Sequence, residues 1–240
     1  MRRTEIADGL QRLIERKSSL SHRAATPSLA EPLQALRAWQ AARLEQTYAD
    51  LRMDPLAGEA LSFFLSDLYG PRDLTRRDRD VARASRLLKR ALPPRMLQIL
   101  SMAMELDVLS TELDLEMAGR LPPGLLTAEV YADAYRAVGR PEDRRRQIGL
   151  IVEIGKALTR AVRTPLLGLA LRAAHGPAHL AGFGYLQDFL ERGLAAFRAL
   201  PDFMELLTLI ERRETRLMQT LLAGGIVSAE EPLLSAAGSI

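Results

Sequence analysis

A chain of 240 residues that is 48% hydrophobic has enough apolar surface to build a core without a disulfide or metal staple. It contains no cysteine, which excludes disulfides, thiolate metal sites and cysteine nucleophiles. The net charge of +3 sets 33 basic residues against 30 acidic ones, and Lys17, Lys89 and Lys156 are the only lysines. Arginine is therefore the chain's cation, suited to paired contacts with carboxylates and phosphates, although a GC-rich genome favours it too.

Proline and glycine separate a series of amphipathic segments, and no stretch alternates with the period of a strand. The spacing predicts helices over 4–18, 30–53, 55–69, 75–92, 94–120, 127–139, 141–163, 165–174, 178–199 and 202–222. The fold class expected is all-α, a single multi-helix bundle of about eight to ten helices. Residues 1–28 read as a helical arm and linker, 29–225 as the bundle domain and 226–240 as a flexible tail. At the N-terminus Asp8, Gln11, Arg12 and Glu15 interrupt every apolar run, so no export signal is expected.

Residues 63–78 combine apolar anchors, the helix stop Gly70-Pro71 and the acids Asp67, Asp73 and Asp78 in a helix-turn-helix corner. The next helix carries Arg76, Arg79, Arg83, Arg86 and Arg90 on the face opposite Val81, Leu88 and Leu92. That ridge reads first as a solvated charged face and second as an anion-binding surface. No base-reading element accompanies it, and nucleic acid is not expected as a partner.

The segment 94–120 has two apolar stripes on a helical wheel, one with Ile99, Met102, Leu106, Leu109, Leu113 and Met117, the other with Leu97, Met104, Val108 and Leu115. Such a helix packs on both sides and belongs at the centre of the bundle. Its polar seams, Ser101, Glu105, Glu112 and Glu116 on one side and Asp107, Ser110, Thr111 and Asp114 on the other, cannot both face water. At least one row of carboxylates must then be paired, protonated or bound to a cation. Arginine pairing is the expectation, and a carboxylate-bound metal the minor alternative. No Glu-x-x-His motif supports a di-iron centre, and no cofactor is predicted.

The apolar window 148–171 is read as core, because Glu153, Lys156, Arg160 and Arg163 rule out a membrane span. Gly149 and Gly155 would admit a close neighbour. His175 and His179 flank Gly176-Pro177, where a helix break is expected, so they read as surface or cap residues rather than ligands. Gly182-Phe183-Gly184 reads as close helix packing or a helix start.

The run Phe63-Phe64-Leu65 through Leu68-Tyr69-Gly70-Pro71 to Asp73 and Arg77-Asp78 resembles the FFL-x-x-LYG-P-x-D-F-x-x-RD pattern of an uncharacterised, mostly proteobacterial family, with Leu74 where that family usually has Phe. The resemblance extends over roughly 40–222 through Arg43-Leu44, Thr47-Tyr48-Ala49-Asp50-Leu51, Glu105, Glu112-Leu113-Asp114 and Arg213-Glu214. It implies a helical protein and no particular chemistry.

Three functions are therefore expected, in order. The first is a cytoplasmic module that binds a protein partner or self-associates. The second is an enzyme or ligand carrier whose bundle pocket is rimmed by Asp67, Asp73, Arg77, Asp78, Glu105, Glu112, Arg213 and Glu214. The third is an anion binder using the ridge.

Overall fold

The computed structural model describes residues 3–52, 93–162, 165–199 and 203–227. The fold is all-α. The described helices are α1 (Arg3–Ala24), α2 (Pro27–Thr47), α3 (Ala49–Arg52), α4 (Pro94–Ala118), α5 (Ala128–Val138), α6 (Pro141–Val162), α7 (Pro165–Leu180), α8 (Gly184–Ala199) and α9 (Phe203–Leu222). Among these described residues none is in a strand. The expected helices at 55–69 and 75–92, and 228–240 of the expected tail, lie outside the described residues.

α4 begins with Pro94, whose missing N–H costs nothing at a first turn, and runs without glycine or proline to Gly119. Both predicted apolar stripes are covered: Leu97, Met104, Val108 and Leu115 are buried, as are Leu109, Leu113 and Met117. α1, α2, α5 and α6 all pack on it, which makes it the central helix. Burial of each such side chain is worth roughly 1.5–3 kcal/mol. A smaller apolar cluster of Leu44, Tyr48, Ile151, Phe203, Leu206, Leu207 and Ile210 ties α2 and α6 to α9.

Three expectations change. The stretch between the helices expected at 4–18 and 30–53, the linker part of 1–28, is the end of α1, a turn at Ala25-Thr26 and the start of α2. Its serines do not set the outcome, because fully buried Leu20 anchors that last stretch of α1 in the core. The helix expected at 30–53 is broken at Tyr48, whose ring is driven inward between α2 and α9.

The third change is at Gly176-Pro177. α7 continues through both residues to Leu180 and ends in a Schellman turn, with Phe183 N–H donating to Ala178 O at 2.8 Å and Gly182 at a φ of 78°. Proline disfavours a helix interior locally, but contacts along α8 hold α7 in place, among them Gln187 Nε2 donating to Leu171 O at 2.7 Å. Of the two glycines expected to admit a neighbour, Gly155 does so: a Cβ there would overlap the Leu207 side chain of α9. Gly149 faces open space.

Candidate functional site

Of the candidate pocket residues, Glu105, Glu112, Arg213 and Glu214 are described, while Asp67, Asp73, Arg77 and Asp78 lie outside the described residues. So do Arg76, Arg79, Arg83, Arg86 and Arg90 of the ridge.

The seams of α4 meet basic side chains from the helices around it. Glu112 accepts from Arg16 Nε of α1 at 2.7 Å and lies 3.7 Å from Arg140, which also donates to Glu116 at 2.5 Å. Glu105 accepts from Arg146 Nε and Nη2 of α6 at 2.8 and 3.0 Å, and the same arginine reaches Glu153. On the opposite seam, Lys17 of α1 donates to Asp107 and to Thr111, each at 2.9 Å. Arg140, just before α6, adopts a φ of 55°, a left-handed conformation that costs a non-glycine residue about 1 kcal/mol. Its contacts to Glu112, Glu116 and Asp143 hold it there.

Arg213 and Glu214 belong to a different network, at the junction of α2 and α9. Arg43 projects from the apolar stripe of α2 with its side chain 8% exposed, and its Nη1 bridges both Glu214 oxygens at 2.8 and 3.0 Å. Tyr48 O–H donates to the same carboxylate at 3.0 Å. Among the described residues Arg43 Nε meets no acceptor. Burial opposes the charge on Arg43, yet the adjoining Glu214 carboxylate leaves its pKa above the ordinary arginine value. Burial, then Glu214, pushes the Tyr48 hydroxyl well above its usual range, so it stays a donor.

Arg213 forks onto Asp50 at 2.8 and 2.7 Å and donates to Thr47 O at 2.6 Å. It thereby takes up a carbonyl at the end of α2 and secures the break at Tyr48. The hydrogen bond from Arg213 holds Asp50 below the usual carboxylate range.

An aromatic layer continues this interior toward α5. Trp39 stacks on Tyr131 at 3.8 Å between ring centroids, and Tyr131 lies 6.0 Å from Tyr135. The buried Arg144 guanidinium sits 3.4 Å above the Tyr135 ring and donates to Gly139 O at 3.1 Å. Asp114, its side chain 16% exposed, accepts from Gln40 at 3.0 Å and faces Arg37 at 3.5 Å. Burial nevertheless raises the pKa of Asp114.

Sequence reasoning singled out Arg213 and Glu214 but not Arg43, Tyr48, Asp50 or Arg144 as site residues. The available signal was register: Arg43 falls in line with Leu33, Leu36, Leu44 and Thr47, all buried, so a charge there needed a partner. Chemically these networks neutralise charge by pairing: Arg43 and Glu214 do so in the interior, while Arg16, Arg146 and Glu153 do so at the surface. An open depression of about 190 Å³, lined by Arg120, Pro122, Val130, Asp133, Ala134 and Ala137, contains none of the buried arginines or network carboxylates. It is also smaller than the roughly 300 Å³ of a small-molecule site.

A central helix sheathed by others, with its carboxylates paired to their arginines and lysine, defines an all-α helical-bundle domain. The chain belongs to the family described as a domain of unknown function (DUF8198), whose model matches residues 19–226. No curated protein and no solved structure matches it. No described helix is long and apolar enough to cross a membrane.

Proposed function

We propose that the chain is a non-catalytic helical module that self-associates through the outer face of the α7–α8 hairpin. The observation that carries this reading is the exposure of leucines on α7 and α8. α7, with the sequence PLLGLALRAAHGPAHL, packs chiefly on α8 and part of α6. Leu169 is 60% exposed and Leu180 92%, with Leu190 of α8 exposed as well. Between them Ala170, Ala173 and Ala174 leave room for the backbone of a neighbour to approach. A patch of leucines beside alanines is complementary to itself, which suits a two-fold contact between copies.

The pairing of Glu105, Glu112 and Glu214 with arginines favours this reading over a carboxylate-lined catalytic pocket. No cofactor is part of the proposal. A cytoplasmic location, and residues 63–78 as a signature shared with proteobacterial relatives, belong to the same reading.

Sedimentation equilibrium of the full chain at up to about 100 µM would nearly saturate an interface with a Kd of ~1 µM. The expected result is a dimer, converted to monomer by Leu169→Glu with Leu180→Glu while helical circular dichroism is unchanged. A wild-type chain that stays monomeric at every concentration overturns the proposal.

A further inference from the structure

Because α7 runs unbroken through Gly176-Pro177, His175 and His179 stand one turn apart on one face of a helix. Their rings are 4.5 Å apart between centroids. Facing them from α8 are Asp188 and Glu191, with His179 Nε2 2.9 Å from Asp188 Oδ1 and His175 Nδ1 3.1 Å from Glu191 Oε1. Each of His175, His179 and Asp188 offers a ligand atom, and these atoms lie within 4.8 Å of one another. Among the described residues this is the one group of three histidines or acids so arranged.

We infer that His175, His179 and Asp188 form a binding site for a divalent transition-metal cation of the zinc class, joining α7 to α8. Zinc bonds of about 2.0–2.2 Å place tetrahedral donors somewhat more than 3 Å apart, so modest side-chain rotation closes this group on an ion. Two imidazoles and a carboxylate select zinc, copper or nickel over magnesium or calcium, which prefer oxygen donors throughout.

Behind the donors stands an orienting shell. With Nδ1 of His175 facing Glu191, Nε2 is the nitrogen left for the metal, the arrangement in which a carboxylate fixes the tautomer of a ligating histidine. Glu191 is itself held by Gln187 Nε2 at 2.8 Å, and Gln187 is buried and tied to Leu171 O. The His179 ring rests on Gly184, where a Cβ would come within 2.6 Å of Nδ1. A pair of independent histidine–carboxylate clips would not require the two rings to share a focus with Asp188.

The test is calorimetric titration of the tag-free full chain with zinc chloride in excess magnesium. It is run at several protein concentrations, so that self-association is separated from metal binding. One saturable site is expected. His179→Ala and Asp188→Asn should each weaken it by at least about tenfold. Gly184→Ala, which removes no donor, should weaken it by displacing the His179 ring, and His22→Ala on α1 should change nothing. Circular dichroism confirms that each variant is folded. Absence of saturable zinc binding, or an affinity that neither His179→Ala nor Asp188→Asn lowers, overturns the inference.

Discussion

Arg43 is held in the apolar interior by one carboxylate that lies 171 residues further along the chain. Removing Glu214 by Glu214→Ala would strand the guanidinium and the Tyr48 hydroxyl, and breaking a buried pair from one side costs roughly 3–5 kcal/mol. Urea unfolding should register that loss. Arg43→Met combined with Glu214→Leu should recover most of it, since an apolar pair of similar volume carries no desolvation penalty. Recovery of nothing by the double variant would show that the ion pair itself stabilises the fold.

Two carboxylates, Asp50 at the surface and Asp114 in the interior, should respond to acid with opposite signs. Asp50 has a folded pKa below its unfolded value of about 3.9, so its contribution is present above that pH and is lost as the pH falls toward the folded value. Asp114 has a raised folded pKa, so its contribution is greatest below about pH 3.9 and is lost as the pH rises through the folded value. Urea midpoints across the acid limb, compared with Asp50→Asn and Asp114→Asn, should therefore diverge from wild type in opposite directions. Parallel curves would contradict the assignment.

At the scale of elements, two glycines of α6 make contrasting predictions. Gly149→Ala faces open space and reduces the freedom of the unfolded chain, so it should stabilise by about 0.4–1 kcal/mol. That corresponds to a rise in Tm of a few degrees for a chain of this size. Gly155→Ala should lower Tm instead, because its new methyl group meets Leu207, itself buried between α6 and α9. Differential scanning calorimetry of both variants distinguishes the two environments.

The course of α4 was legible because a strict periodicity ran uninterrupted from Pro94 to Ala118. The continuity of α7 was not. Pro177 and Gly176 argue locally for a break, and tertiary contacts outweigh them, among them the bond from Gln187 to Leu171 O and the packing on α8 and α6.

At the scale of the whole molecule, α1 is a wall of the core rather than an appendage. Ile6 and Leu10 are buried in the main cluster, and Lys17 reaches Asp107 of α4. A chain beginning at residue 19, where the family model begins, would lose both side chains, worth roughly 1.5–3 kcal/mol each. It should unfold at lower urea concentration and bind a hydrophobic dye where the α4 face is uncovered. Unchanged stability would show that α1 contributes little.

The order of apolar and polar residues by itself determined the helical class, the central place of α4 and the need for its carboxylates to find partners, because these depend on periodicity along one segment. Tertiary structure alone decided which cation each carboxylate meets, that Arg43 closes on Glu214, and that two histidines across a proline share one face with Asp188. Those outcomes depend on which helices lie side by side, and the spacing of residues within one helix carries no record of its neighbours.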